Sequence, residues 1–368
     1  GGGGGAATQQ HLVEAVVSCC EDLVRCGESR IALSLASDAA NVAQTAGVEW
    51  TLRLDLVVVR ALLFCGSYDE AFEKCQTLLR DHARNLPTLP KEFTELRISE
   101  AHCLWLLNRA QESIDKLLAI RAELLQLPDS ALLAECAVQL SSAEMRLGEP
   151  VQARWYALEG VVSARRAGDC YWESIALNNF GQMERALGRW ISAEEACSEA
   201  LRISEERGLR YLANHSRRSL AIVFWKRGRL DASDEMASRC IRESAAVSAG
   251  ASEWYASLLK GMILLHRGHY EDAAALFRRK DGWEIPRAES RPSLLTTEFL
   301  GDIHLEQGQA EAALEHYDDV WPKALALVPK GDIVAELRRR RAECYYLLGR
   351  YDEAYAEAKT GLDHCREL

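Results

Sequence analysis

The stretch Gly181-Gln182-Met183-Glu184-Arg185-Ala186-Leu187-Gly188-Arg189-Trp190-Ile191-Ser192-Ala193 decides the fold. It places a small residue, a glycine turn, an aromatic and a second small residue at fixed offsets. The turn and the small residue after it recur nine times, the aromatic in four of them. The turn centres are Gly27, Gly66, Asn108, Gly148, Gly188, Gly228, Gly268, Gly308 and Gly349, separated by 39, 42, 40, 40, 40, 40, 40 and 41 residues. A constant period of about 20 to 50 residues means a stack of like units rather than one globular core.

Two further registers keep the same period. Seven residues before each centre stand Cys20, Val59, Ala101, Ser141, Gly181, Ala221, Gly261, Gly301 and Ala342, of which only Val59 is not small. Five residues after it stand Ala32, Ala71, Ser113, Ala153, Ala193, Ser233, Ala273, Ala313 and Ala354. Small side chains on both helices of a hairpin let their backbones approach closely. Two residues after the centre come Tyr68, Trp190, Tyr270 and Tyr351, each expected to open a second helix and wedge against the first. Prolines number only 8 and hydrophobic residues make up 48%, and alternating strand-like runs are scarce. The sequence therefore predicts an all-α, right-handed superhelix of about nine antiparallel hairpins.

Residues 10–368 are expected to form one such domain, with 1–9 a tag or flexible linker. No polar capping helix follows Cys365-Arg366-Glu367-Leu368, which suggests a piece of a longer protein. Gly47, Gly168 and Gly208 are placed to end second helices, and Asp169 to cap the helix after Gly168. Two connectors stand out: Asn85–Lys91, and the segment from Asp281 to Pro292, whose Trp283 is read as plugging a gap between repeats more readily than touching a ligand.

Gly349-Arg350-Tyr351-Asp352-Glu353-Ala354 and Gly66-Ser67-Tyr68-Asp69-Glu70-Ala71 resemble the turn motif of the tetratricopeptide repeat. The likeness covers nearly the whole chain, although the unit is about 40 residues rather than 34 and the family's usual proline is mostly missing. Long units with wording such as Ala176-Leu177-Asn178-Asn179-Phe180-Gly181 are similar to sensor arrays of bacterial signalling ATPases and of transcription activators of the maltose-activator type. Peptide-pheromone receptors and kinesin light chains have similar long units.

Composition excludes several classes. The formal charge is −11, and the one basic run, Arg338 to Arg341, is expected to be a solvated helix face with local salt bridges, so direct nucleic-acid binding is not expected. The 12 cysteines show no Cys-x-x-Cys pair or zinc spacing. Cys20, Cys75, Cys197 and Cys240 fall at packing registers, which suits a reducing cytoplasm. A redox role for Cys19, Cys20 and Cys26 is the lesser reading. No apolar run is long enough to span a membrane, and no secretory leader is visible. Nucleotide, zinc-protease and nucleophile-elbow motifs are all absent, so no enzyme, cofactor or metal is expected.

The resemblance implies a binding face on the first helices, at positions 13, 10, 6, 3 and 2 residues before each turn centre. Mapped here, those positions bring forward His102, Trp105, Asn178, Gln182, Arg185, His215, Arg218, Trp225, Tyr255, Glu298 and Asp302. Asn178 can read a peptide backbone by donating and accepting at once. Arg185 and Arg218 can fork onto a carboxylate, the aromatics can stack, and the two acids can receive a basic group. Each has a structural alternative: an amide bridging two helices, aromatics packed between repeats, charges paired across the groove. The expected partner is a protein or peptide segment, and the module is the sensor or regulatory part of a larger signalling or transcription regulator. The alternatives are a small-molecule effector, for example a sugar, and a scaffold role in a multiprotein assembly. Exposed apolar residues on second helices would favour the scaffold.

Overall fold

The computed structural model describes residues 3–83, 90–127, 130–244, 250–278, 291–327 and 332–367. Among them are eighteen helices and no strand. The chain divides into two compact units, Gly1–Ser219 and Leu220–Leu368. The first contains α1 (Gly3–Cys26), α2 (Ser29–Ala46), α3 (Val48–Cys65), α4 (Tyr68–Asp81), α5 (Pro90–Leu106), α6 (Ala110–Leu124), α7 (Ser130–Leu147), α8 (Pro150–Ala167), α9 (Cys170–Ala186), α10 (Trp190–Glu206) and most of α11 (Arg210–Lys226). The second contains the end of α11, α12 (Leu230–Ser244), α13 (Gly250–His266), α14 (Tyr270–Arg278), α15 (Arg291–Glu306), α16 (Ala310–Leu327), α17 (Asp332–Leu347) and α18 (Tyr351–Glu367). Odd-numbered helices are the first of each hairpin and even-numbered ones the second.

The turns explain the period. Every turn centre has a positive φ, and Asn108, at 63°, is the only non-glycine residue in that region among the described residues. A Cβ is strained there, so glycine, or asparagine at a smaller cost, is required. In each hairpin the N–H after the centre reaches back five residues, as Arg189 does to the Glu184 carbonyl at 2.7 Å. That closure ends one helix and starts the next within three residues. Tyr68, Trp190, Tyr270 and Tyr351 are each the first residue of a second helix, and Tyr351 packs edge-on against Tyr346 of α17.

The two small registers meet each other. Ser113 Oγ donates to the Ala101 carbonyl at 2.7 Å, and Ser233 Oγ does the same to Ala221. Cys20 Sγ faces the Ala32 carbonyl in the first hairpin. Where the first helix carries glycine, the second supplies volume. A Cβ at Gly261 would overlap the Phe277 ring, and one at Gly301 would lie 2.6 Å from Tyr317 Cε1. At Gly181 it would overlap Cys197 Sγ and stand 3.2 Å from the Ala193 carbonyl. Gly181→Leu, or Ala193→Phe from the other side, is therefore expected to cost about 1–3 kcal/mol or more. A thermal midpoint unchanged within error in both variants would show that these registers do not form the contact.

Gly47, Gly168 and Gly208 all take positive φ at the ends of second helices. Asp169 accepts from the Tyr171 and Trp172 amides at 3.0 and 3.2 Å. Helix α1 starts at Gly3, inside the segment read from sequence as tag or linker. Helix α14 has only 9 residues. The connector that follows it, with Trp283, lies outside the described residues, as do 84–89. Cys20, Cys75, Cys197 and Cys240 are buried cysteines. Burial, helped by Cys19 and Glu21, pushes the Cys20 thiol up to about 11, which leaves little thiolate for redox chemistry.

Candidate ligand-binding inner face

In the first unit the first helices face one another, and α1 and α3 meet helices several repeats further on. Tyr211 of α11 packs edge-on against Phe64 of α3 at 5.2 Å, and its Cβ sits against the Gly27 turn, 3.0 Å from where a Cβ on that glycine would stand. Arg25 of α1 lies over the Tyr171 ring of α9 at 5.2 Å. Arg60 of α3 reaches Glu95 of α5 at 3.5 Å and Glu135 of α7 at 3.3 Å. Between these helices lies a pocket of about 230 Å³, lined by Glu21, Arg25, Arg53, Leu56, Arg60, Lys91, Glu92 and Glu95. Its walls carry both signs of charge and almost no apolar surface.

Titration behaviour follows from this enclosure. Burial pushes Glu135 up to about 7, against the pull of Arg60. Burial, with the Arg60 charge, lowers His102 to about 4. Burial raises Tyr171 as well, although Arg60 and Arg25 oppose it. The two groups with stated values act on stability in opposite directions. Glu135 binds more protons folded than unfolded between about 4.5 and 7, so its contribution falls as pH rises through that window. His102 binds fewer protons folded between about 4 and 6.5, so its contribution rises there. Glu135→Gln is therefore expected to raise the thermal midpoint relative to wild type more at pH 8 than at pH 5. A gap independent of pH would mean that Glu135 is ionised throughout.

The residues anticipated from sequence divide between the units. His102, Trp105, Asn178, Gln182, Arg185, His215 and Arg218 lie in the first, and Trp225, Tyr255, Glu298 and Asp302 in the second. Asn178 of α9 and His215 of α11 meet, with Nδ2 donating to the ring Nδ1 at 2.8 Å. Burial, then the Arg218 charge, hold His215 well below its usual pKa, which keeps Nδ1 free to accept. Asn178 is only 2% exposed, and its Oδ1 has no partner among the described residues. The amide thus bridges two helices and keeps a buried acceptor without a partner among the described residues. Trp105 stacks on His102 and donates to Gln139 Oε1 at 3.0 Å, tying α5 to α7. Gln182 and Arg185 are half-buried on α9.

The second unit fills its own acidic positions. Glu298 and Asp302 both hold Arg340 of α17, which donates to Glu298 Oε1 and Asp302 Oδ2 at 2.7 Å each. Tyr317 Oη adds a bond to Asp302 Oδ1 at 2.8 Å. This corrects two expectations. The acids do not wait for a basic ligand group, because the chain supplies the cation. Nor is the arginine run a solvated face, since only Arg339 is confined to local pairs. Arg338 and Arg341 pair with Glu357 of α18 and lie over Trp321. Trp225 packs edge-on against His266, and Tyr255 against Trp254.

Four inner-face residues escaped the sequence reading. Arg25 and Arg60 occupy the inner-face registers two and six before their turn centres, in the first and second repeats. Tyr171 and Tyr211 both stand 17 residues before their centres, a shared register beyond the ones considered. Among the described residues no group of three or more His, Cys, Asp and Glu side chains could hold a metal ion, and no helix is long and apolar enough to cross a membrane.

No curated protein matches the sequence. The tetratricopeptide-repeat family model matches residues 254–279 and 294–319, that is, the seventh and eighth hairpins. Among solved structures, a Rap protein complexed with Competence and Sporulation Factor superposes with a TM-score of 0.68 at 13% identity, covering 97% of this chain and 98% of that one. The quorum sensor NprR in complex with its cognate peptide NprX gives 0.51 at 13% identity, over 73% and 76%. A signal-transduction ATPase from Pyrococcus horikoshii, with a tetratricopeptide-repeat sensor, gives 0.55 at 15% identity, over 86% of this chain and 49% of that one. At such identities the likeness is one of fold. Period, turn geometry and paired small registers agree with these likenesses: the chain has the helical-hairpin repeat fold of its structural neighbours, and its seventh and eighth hairpins match the tetratricopeptide-repeat model.

Proposed function

We propose that the chain is a peptide-binding sensor module, and that the inner face of its first unit takes the peptide. The observation that carries this reading is Asn178. A buried amide fixed at one end by His215 and unpaired at the other holds an acceptor that a peptide N–H can satisfy once side chains of the inner face move aside, at no further cost in the amide's own side-chain entropy. Leaving such an acceptor unpaired costs about 1–3 kcal/mol, which a bound backbone would recover. Arg185 and Arg218 supply cations beside it, and the mixed-charge pocket at Arg25 and Arg60 suits a charged end of the peptide. The NprR–NprX complex supports the same reading by analogy of fold. The likeness to the sensor of a larger ATPase supports a regulatory role, in which peptide binding shifts a conformational equilibrium.

Panning a random heptapeptide display library on the immobilised protein tests this. Enriched peptides are expected to bind wild type and to lose at least about tenfold in affinity against Asn178→Ala, the value of one lost hydrogen bond. Enriched peptides that bind both proteins equally would remove the site from this face.

A further inference from the structure

Helix α8 packs inward through Gly160, where a Cβ would stand 3.2 Å from Ala176 Cβ and 3.4 Å from Val138 Cγ2. Its outer side is unusual. Val151, Trp155, Leu158 and Val162 are 67%, 48%, 43% and 42% exposed. Their spacing of four, three and four residues puts them in one stripe along the helix. Trp155 is held in place rather than loose, with the Arg121 guanidinium 4.9 Å over its ring and Tyr156 edge-on at 4.9 Å. A rigid, half-exposed tryptophan inside an apolar stripe has the character of an interface anchor.

The stripe reads the same in both directions. Its spacing is a palindrome, with valine at each end and a large side chain at each inner position. An antiparallel copy therefore sets Val151 against the partner's Val162 and Trp155 against the partner's Leu158, with no shift of register. The ends are complementary too. Glu149 precedes the helix and Arg166 stands in its last turn; both are exposed, and neither has an ion-pair partner among the described residues. Burial and the Glu149 charge raise the pKa of Glu144 beside it, so this end carries two carboxylates that a cation would relieve. Antiparallel pairing delivers the partner's Arg166 there, and a two-fold axis delivers it twice.

We propose that α8 is a self-association surface, on which a second copy of this chain docks antiparallel, stripe against stripe. Leu118 on α6 and Ile191 on α10, the second helices of the neighbouring hairpins, are exposed as well. A stable interface buries about 1,200–2,000 Å², more than one helix stripe provides, so the dimer is weak and forms at high protein concentration.

Sedimentation velocity over a concentration series from about 1 μM to about 1 mM, the range of weak association, reads this directly. Wild type is expected to pass from monomer to dimer, and Leu158→Glu to stay monomeric. Glu149→Arg and Arg166→Glu should each weaken dimerisation about tenfold or more through like-charge contacts. An equimolar mixture of these two variants should regain it, because the mixed dimer has opposite charges at both ends. All the altered side chains are exposed, so folding is unaffected and each unmixed variant serves as the control. A wild type that stays monomeric throughout overturns the proposal and leaves the stripe to a helix of another protein. A mixture no better than either variant alone overturns it as well.

Discussion

Replacing Arg340 with methionine is expected to destabilise the second unit by about 3–5 kcal/mol, the cost of breaking a buried ion pair from one side. Arg340, Glu298 and Asp302 are all largely buried, and these two carboxylates converge on the one guanidinium together with the more exposed Glu336. Methionine fills the same space but strands both acids. The loss has a signature that a packing defect lacks. Carboxylates buried without a cation hold their protons more tightly folded than unfolded, so their folded pKa rises above the usual value of about 4. Stability of the variant then increases as pH falls through that raised pKa. The deficit in thermal midpoint against wild type should be large at pH 7.5 and much smaller at pH 4.5. Equal deficits at the two values would assign the loss to packing. Hydrogen exchange should find the damage concentrated in α15 to α18, since repeats touch mainly their neighbours.

The fold was legible because it is written nine times. A left-handed residue at each turn and a small residue on each facing helix are local demands, and a local demand leaves the same mark at the same offset in every unit. Even the exception is informative: Asn108 takes the turn position where glycine is missing, and it is the residue type that tolerates that backbone. The site was less legible. Registers say which residues point inward, but not which inward residues will find one another. Asn178 and His215 lie 37 residues apart, on adjacent first helices, so their contact follows from the period. Arg60 and Glu135 are 75 residues apart, and Tyr211 meets Gly27 and Phe64 from even further along. Such contacts depend on the curvature of the unit, which accumulates from small rotations at each hairpin and has no sequence mark. Pairing across the inner face also decides which charges stay available. Glu298 and Asp302 stand at registers that suit ligand groups, but Arg340, nine residues before its own turn centre, occupies them.

Replacing Asn178, Arg185 and Arg218 together with alanine is expected to lower affinity for a selected peptide by three orders of magnitude or more. Hydrogen bonds to charged groups are worth about 1.5–3 kcal/mol each, and about 1.4 kcal/mol corresponds to tenfold. The fold should survive the change. Asn178 gives up its bond to His215, but the same substitution removes a buried oxygen that has no partner among the described residues, and these two effects oppose each other. His215, held neutral by burial, loses a charged neighbour with Arg218 and needs no counter-ion. Binding should therefore be lost in a variant whose circular dichroism still reports the helical fold, while the thermal midpoint also carries what Arg185 and Arg218 contribute through their own contacts in the protein. Arg350 is the control, since it sits in an exposed turn pair with Glu353 at the far end of the chain, and Arg350→Ala should bind as wild type does. Calorimetry with the selected peptide decides the matter. A triple variant that binds at full strength would place the peptide away from the α9–α11 face, and the mixed-charge pocket around Arg25 and Arg60 would be the next surface to alter.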